Sequence, residues 1–201
     1  MKLGLIVEGH GEVSAAPILV RRLARLLAPT AHLEVLLPHR IPRGQLVKED
    51  DLRRAIELTA RKVGGDGRIL VLLDADKDLP CVLGPQLLGL ARKHRPDRAI
   101  SVVVAQCEYE AWFLAAAESL RGQRGLPSDL RAPTGFERIR DAKGWLRERM
   151  PQGYSETIDQ AALTSVFDLE AARRADSFDK LFRDMCALLE VSIPPRPQQS
   201  P

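Results

Sequence analysis

Short apolar runs alternate with amphipathic segments over the first 120 residues, the pattern expected of parallel strands joined by crossover helices. Four runs are predicted strands, at residues 3–7, 33–37, 69–73 and 100–105. The third run has no polar position, as expected of a strand that is covered by helices on both faces. The pattern therefore predicts a three-layer α/β domain, Rossmann-like in layout, with a mostly parallel sheet of about four strands.

The segments between these runs have helical periodicity. Ser14 is suited to cap a helix that ends near residue 27, with Pro17 in its first turn, where a missing N–H costs nothing. A second helix runs through residues 52–63 and is ended by glycine, and two more are predicted at 83–94 and 108–120. These helices supply the outer layers of the domain.

Beyond residue 121, glycine and proline interrupt the chain, and only helical segments follow, at about 136–149, 157–164, 169–175 and 178–189. We predict an α/β domain over residues 1–120 and a helical extension over 121–190 that packs on it. The remaining residues, 191–201, are polar and rich in proline, which predicts a disordered tail.

Composition places the chain among soluble globular proteins of one or two domains, with 201 residues, 45% apolar and 28% charged. It has no apolar run near the roughly 18 residues that cross a bilayer, and no apolar segment behind a basic N-terminus. We therefore predict a cytoplasmic protein that does not enter the membrane.

The net charge of +3 hides an uneven distribution. Residues 121–149 carry eight basic and four acidic side chains, and 23 of the 30 basic residues of the chain are arginines. Arginine suits phosphate recognition, but a solvated loop and helix would have the same composition. Both interpretations of this basic segment stay open.

Acidic residues follow three of the four predicted strands: Glu8 and Glu12, Asp74 and Asp76, and Glu108 and Glu110. Taken singly, each is explained by a strand end, a polar turn or the first turn of a helix. Taken together they predict a cluster, because the functional crevice of an open parallel sheet lies at the carboxyl ends of its strands. Two carboxylates about 4 Å apart repel by on the order of 4 kcal/mol at an effective dielectric constant of 20, so the cluster must bind protons or share a cation. Oxygen ligands favour Mg²⁺ or Mn²⁺ over zinc.

These residues also resemble a known family. The motif Glu8-Gly9-x-x-Glu12, with Asp74-x-Asp76 after an apolar strand, resembles the Toprim domain of primases, type IA and II topoisomerases and OLD-type nucleases. This resemblance covers about residues 1–120. Three further motifs extend the similarity over nearly the whole chain, to a bacterial Toprim-like group, domain-of-unknown-function family 4276: Glu110-Ala111-Trp112-Phe113-Leu114, Tyr154 with Thr157-Ile158-Asp159-Gln160, and Asp176-Ser177-Phe178.

The resemblance implies metal-dependent phosphodiester chemistry on nucleic acid. It makes Glu8 a metal ligand or an acid/base group, and our candidate for the general base. It matches Glu12 to the second glutamate of OLD-like nucleases, and Asp74 and Asp76 to the pair that holds Mg²⁺.

For the acid of the remaining strand the resemblance implies Glu110, with Glu108 as the alternative. The chain departs from other Toprim proteins in having no topoisomerase tyrosine module and no phosphate-binding Gly-x-x-x-x-Gly-Lys-Ser/Thr loop. Any ATPase would therefore be a partner protein.

Four basic or titratable residues are candidate contacts to nucleic acid. His10 lies between the two glutamates of the first motif, and Lys77 lies in the Asp-rich loop. Arg40 and Arg43 belong to a basic loop over residues 39–44 that follows the second predicted strand at the same edge of the sheet. Each also has an ordinary interpretation as a solvated loop residue.

These observations leave two main hypotheses. The first is a Mg²⁺- or Mn²⁺-dependent nuclease or phosphotransferase of Toprim type, in a defence or DNA-repair system. The second is a regulatory subunit with little or no catalytic activity that binds nucleic acid or an ATPase. A phosphoacceptor response-regulator domain is less well supported, because the first strand ends in Glu8-Gly9 rather than in a pair of aspartates.

Overall fold

A computed structural model describes residues 1–197 and contains one parallel sheet. Its strands are β1 (Lys2–Val7), β2 (Glu34–Val35), β3 (His39–Arg40), β4 (Arg68–Asp74) and β5 (Ile100–Ala105). The strand order is β2-β1-β4-β5, and β3 pairs with β1 beyond the end of β2. All pairings are parallel, as predicted, but the sheet has five strands rather than about four.

Nine α-helices lie within the described residues: α1 (His10–Leu27), α2 (Arg43–Leu46), α3 (Glu49–Val63), α4 (Pro80–His94), α5 (Ala111–Ala115), α6 (Ala142–Arg147), α7 (Glu156–Thr164), α8 (Leu169–Ala172) and α9 (Asp176–Leu189). Short 3₁₀ turns lie at Ala117–Leu120, Gln123–Gly125 and Phe136–Arg138. None of the helices in this part of the chain combines the length and apolar character needed to span a membrane.

The sheet lies between two helical layers. Alternate residues of a strand point to opposite faces, so each strand contributes to two cores. Leu3 and Leu5 of β1 pack in a core with α1 and the C-terminal helices, whereas Ile69 and Val71 of β4 pack with α3 and α4. The protein therefore has a Rossmann-like three-layer α/β fold with C-terminal helices.

Several boundary predictions were wrong. The second strand, predicted at 33–37, is only Glu34–Val35, and Pro17 lies inside the first helix rather than in its first turn. The first helix begins at His10, four residues before Ser14, because the Glu12 side chain accepts hydrogen bonds at its N-terminus. The predicted basic loop at 39–44 contains the short strand β3 and the start of α2, since its backbone pairs with β1. The predicted helix at 108–120 is shortened to α5 and a 3₁₀ turn, and the one at 136–149 is split into a 3₁₀ turn and α6.

The C-terminal residues up to 197 form no helix or strand after α9, but they contact the extension. Arg196 donates hydrogen bonds to the carbonyls of Arg173 and Arg174 and pairs with Asp176. The last part of the predicted disordered tail, residues 198–201, lies outside the described residues.

Candidate active site

Three adjacent strands end at one edge of the sheet. The register pairs Val7 with Leu72 and Asp74 with Ala105, so β1, β4 and β5 finish side by side. Asp74 donates its backbone N–H to Glu8 Oε2 at 3.2 Å, and its own Oδ1 accepts from the backbone N–H of Tyr109 at 2.8 Å. The acids that follow these strands are therefore joined through backbone hydrogen bonds, as the spacing of the motifs predicts.

Glu12 lies one turn into α1 and is buried. Its Oε2 accepts the backbone N–H groups of Gly9 at 2.5 Å and of Glu8 at 3.1 Å. These are donors that an α-helix leaves unpaired at its start, and a carboxylate is a favourable acceptor there. Glu12 thus fixes the loop between β1 and α1 and adds negative charge beneath Glu8.

Glu110 is fully buried at the start of α5. Its Oε1 accepts a hydrogen bond from the Tyr154 hydroxyl at 2.7 Å and one from Gln160 Nε2 at 3.0 Å. Its Oε2 has no hydrogen-bond partner among the described residues. Both donors come from the C-terminal extension, which therefore holds this carboxylate in place.

Among the described residues, Lys143 near the start of α6 is the one lysine whose ammonium contacts these carboxylates. Its Nζ lies 3.1 Å from Glu110 Oε2 and 3.3 Å from Glu108 Oε1. A third oxygen, Asp74 Oδ2, is 3.7 Å away. The ion pair with Lys143 is the contact that neutralises Glu110 Oε2 among the described residues.

Burial and mutual repulsion raise the pKa values of the clustered carboxyls. Burial is the largest cause for Glu12, whose pKa rises to about 7, and the charges of Glu8 and Glu110 raise it further. Burial likewise raises the pKa of Asp74 well above its usual range, with repulsion from Glu12 and Glu110 added. The pKa values of Glu110 and Glu8 are also raised by burial, against the opposing attraction of Lys143. One ammonium is insufficient to offset this much negative charge.

The predicted Asp-x-Asp pair is divided between two environments. Asp74 is buried in the cluster, whereas Asp76 is exposed and its carboxylate lies 3.2 Å from Arg43 Nε. Asp76 also has a positive φ of 52°, and its N–H donates to the Cys107 carbonyl at 3.1 Å. The loop after β4 is thus anchored to the end of β5, with Asp74 inside and Asp76 at the mouth.

Arg43 anchors the same loop instead of facing solvent. Its guanidinium donates to the carbonyls of Asp74 and Ala75 and pairs with Asp76 and Asp78. These contacts occupy most of its donors, which were predicted to hold a phosphate backbone. The immediate role of Arg43 in the structure is to shape the loop.

The other predicted nucleic-acid contacts lie around the site. His10 and Lys77 are exposed, while Arg40 is partly buried in β3 and its Nε has no partner among the described residues. A cleft of about 450 Å³ beside the cluster is lined by Arg43, Asp76, Lys77, Asp78 and Arg140. Part of the basic segment therefore borders the acidic edge.

A larger cavity of about 630 Å³ lies away from the carboxylates, along the outer edge of β5. Its walls include Val102 and Val104 and the first residues of α4. Size alone would make it the first candidate for a ligand site. We place the candidate active site at the acidic edge instead, because the titratable groups converge there.

Sequence reasoning missed Lys143, Tyr154 and Gln160 as members of the site. One signal was present for Lys143, which is the only lysine among the eight basic residues of segment 121–149. Tyr154 belongs to one of the motifs that carry the resemblance, and it is both buried and a donor to Glu110. No periodicity in the sequence could show that α7 crosses the start of α1.

The packing of α7 on α1 explains Gly11, which lies between Gly9 and Glu12. A Cβ at Gly11 would overlap Gln160 Oε1 and the Glu156 side chain. The Gly11 N–H also donates to Glu156 Oε1 at 3.2 Å. Glycine is therefore required for the close approach that brings Gln160 to Glu110.

The aromatic residues of the sequence motifs pack in the hydrophobic core. Trp112 and Phe113 are fully buried. The Trp112 indole donates to Ser177 Oγ at 2.9 Å, and its ring packs edge-on against Phe178 at 5.3 Å between centroids. The Asp176-Ser177-Phe178 motif thus holds α9 against α5, behind the acidic cluster.

The donor chemistry of the edge fits a hard divalent cation. Glu8, Asp74 and Glu110 each retain a carboxylate oxygen without a hydrogen bond from the backbone, and Glu110 Oε2 is buried with the Lys143 ammonium as its neighbour. Within residues 1–197, no three Asp, Glu, His or Cys side chains are already gathered closely enough to hold a metal ion. The residues that would hold Mg²⁺ or Mn²⁺ are therefore named from their chemistry and position.

Comparison with known proteins gives no match: no family model, curated protein or solved structure is significantly similar to the chain. The resemblance to Toprim domains and to family 4276 remains a prediction. The proposed function therefore depends on the residues of the acidic edge and their geometry.

Proposed function

We propose that this protein carries out metal-dependent phosphodiester chemistry on nucleic acid, as a Mg²⁺- or Mn²⁺-dependent nuclease of Toprim type in the cytoplasm. The observation that carries the proposal is the convergence of Glu8, Glu12, Asp74 and Glu110 at the ends of three adjacent strands. Burial raises their pKa values, with mutual repulsion added at Glu12 and Asp74, so the ionised carboxylates are costly in this site and a divalent cation would stabilise them.

The proposal gives each clustered residue a task. Glu8, Asp74 and Glu110 would hold the cation, and Glu12 would fix the loop that carries Glu8. When bound, the metal would polarise a phosphoryl oxygen and lower the pKa of a water molecule. Glu8 is half-buried at the mouth, and its raised pKa suits a group that accepts a proton from such a water.

The surroundings offer contacts to a polyanion. Lys77 and Arg140 line the cleft beside the cluster, and neither forms an ion pair with another described residue. A nucleic-acid strand in this cleft would place a phosphate near Asp76 and the buried carboxylates. Positive side chains around an acidic metal site are typical of enzymes that act on phosphodiesters.

A nuclease assay tests the proposal. Purified protein is incubated with single- and double-stranded DNA and RNA in Mg²⁺, in Mn²⁺ and in EDTA. We expect Glu8→Gln and Asp74→Asn to reduce cleavage on the order of a hundredfold or more. Asp97→Asn, an exposed carboxylate paired with Arg95 far from the site, is the matched control and should cleave at the wild-type rate.

Cleavage that is equal in the wild type and both site variants contradicts the proposal. That result favours the alternative, a regulatory subunit that binds nucleic acid or an ATPase partner without turnover. Purification from a nuclease-treated lysate then distinguishes the two partners, because only a protein partner survives the treatment.

A further inference from the structure

Lys143 occupies the position at which a cation would bridge the carboxylates. Its Nζ contacts Glu110 Oε2 and Asp74 Oδ2, the oxygens that the proposed function assigns to the metal. We propose that Lys143 is an exchangeable cation, whose ammonium neutralises the site without metal and must leave before a divalent cation binds. This inference depends on the metal site of the proposed function and adds a means of regulating it.

The backbone of Lys143 is fixed, so exchange involves only its side chain. The Lys143 N–H donates to Glu108 Oε2 at 3.1 Å. Asp141 caps the start of α6 by accepting from the Gly144 N–H at 2.6 Å. The first bond ties the start of α6 to the loop after β5, and the second fixes the turn itself, whatever the ammonium contacts.

The Lys143 side chain is not held by the backbone bonds that fix α6. It is 22% exposed, and rotation about its four-carbon stem would move the ammonium away from the carboxylates. A guanidinium held by several directional hydrogen bonds, like that of Arg43, lacks this freedom. Lysine is therefore suited to supply a cation that leaves the site when a metal binds and returns when the metal is released.

A metal ion and the ammonium cannot occupy the site together. Ligand oxygens lie about 2.0–2.6 Å from Mg²⁺ or Ca²⁺, so a metal bound to Asp74 and Glu110 would lie within a few ångströms of Nζ. Two positive charges at that separation repel strongly in a partly buried site. Metal binding to the wild type is therefore weakened by competition from Lys143.

Metal affinity measured on variants tests the exchange directly. Free Mn²⁺ is quantified by electron paramagnetic resonance during titration of the wild type, Lys143→Met and Lys180→Met. We expect Lys143→Met to bind Mn²⁺ on the order of tenfold more tightly, because a nearby positive charge is removed. Lys180→Met removes the same charge from a lysine paired with Asp184, and should leave the affinity unchanged. Circular dichroism confirms that each variant is folded.

Equal or weaker Mn²⁺ binding by folded Lys143→Met overturns the inference, as does failure of both proteins to bind Mn²⁺. Mn²⁺ affinity is measured independently of the cleavage assay, so the inference and the proposed nuclease fail separately. Tighter binding by Lys143→Met without any cleavage retains the exchange and rejects the nuclease. If the wild type cleaves nucleic acid and Lys143→Met binds Mn²⁺ with unchanged affinity, the nuclease is retained and the exchange is rejected.

A second measurement uses only the wild-type protein, and so does not depend on whether the variant folds. Acetylation of Lys143 by an amine-reactive ester is followed by mass spectrometry with and without Mg²⁺, with the exposed Lys62 as the internal reference. We expect Lys143 to react several-fold faster in Mg²⁺, because an ion-paired ammonium is protected and a released one is not. An equal or slower rate in Mg²⁺ overturns the inference.

Discussion

Two buried charged clusters in this protein are built on opposite principles. In the C-terminal extension, Arg173 is 1% exposed and donates to Asp179 Oδ1 at 2.9 Å. Its other donors reach Glu170 and the carbonyls of Pro194 and Pro195. At the sheet edge, by contrast, several carboxylates share the single ammonium of Lys143.

The two clusters differ in whether each buried charge is matched by a partner of opposite sign. A buried ion that is matched by partners and fully hydrogen-bonded holds elements together, and losing one partner is costly. A buried cluster with an excess of one sign lowers the free energy of unfolding, and this cost is expected where a ligand of opposite charge is to bind. The Arg173 cluster belongs to the first kind and the acidic edge to the second.

The largest expected effect comes from breaking the matched cluster. Arg173→Ala should lower the free energy of unfolding by about 3–5 kcal/mol, because it leaves Asp179 buried with fewer partners. Arg183 pairs with the other oxygen of Asp179 but is 49% exposed, so Arg183→Ala should cost less than about 1 kcal/mol. Urea denaturation measures both, and similar losses would show that Arg173 is not the centre of the cluster.

The unmatched cluster should respond in the opposite direction. The Glu12 carboxyl has a pKa of about 7 in the folded protein against an ordinary value of 4.5. The folded state therefore binds more protons than the unfolded state between these values, and stability falls as the pH rises through this window. Glu12→Gln should make this fall smaller, leaving the part due to Asp74, Glu110 and Glu8, and should exceed the wild type above pH 7 by up to roughly 3 kcal/mol.

Denaturation in EDTA from pH 5 to pH 8 checks this expectation. Glu118 is the control of opposite sign, because its hydrogen bonds with Ala132 and Arg174 lower the pKa of its carboxyl. Glu118→Gln should therefore lose stability where Glu12→Gln gains it. Parallel pH curves for the wild type and Glu12→Gln would contradict the assignment of excess charge to the edge.

The smallest expected effect compares two tyrosine hydroxyls. Tyr154 donates to the carboxylate of Glu110 at 2.7 Å, whereas the Tyr109 hydroxyl pairs with Thr164 Oγ1 at 3.0 Å. Hydrogen bonds to charged groups contribute about 1.5–3 kcal/mol and neutral ones about 0.5–1.5. Tyr154→Phe should therefore destabilise the protein more than Tyr109→Phe, as measured by urea denaturation. The reverse order would mean that Glu110 does not depend on its tyrosine.

Much of the fold could be predicted from local pattern. The apolar runs of β1, β4 and β5 and the glycine after α3 are local signals, and each was placed within a few residues. Strand β3 was missed because two residues have no periodicity, and its pairing with β1 depends on tertiary contact. The start of α1 was missed because the capping group, Glu12, lies inside the helix.

The candidate site was predicted as far as the strand ends themselves. Glu8, Asp74 and Glu110 could be grouped because parallel strands finish at one edge. Lys143 and Gln160 could not, because they lie 33 and 50 residues beyond Glu110 in sequence and reach it only through the packing of α6 and α7. The division of Asp74 from Asp76 also needed the structure, since it depends on Arg43.

The order of the elements along the chain has a consequence for synthesis. A ribosome produces the protein from its N-terminus, and β5 ends at Ala105, well before Lys143 and Gln160 are made. A nascent chain long enough to form the sheet thus carries Glu8, Asp74 and Glu110 without their lysine. Until the extension is made, these carboxylates are open to solvent, which stabilises their charge. Dissolved cations therefore have access to the acidic edge before Lys143 is synthesised.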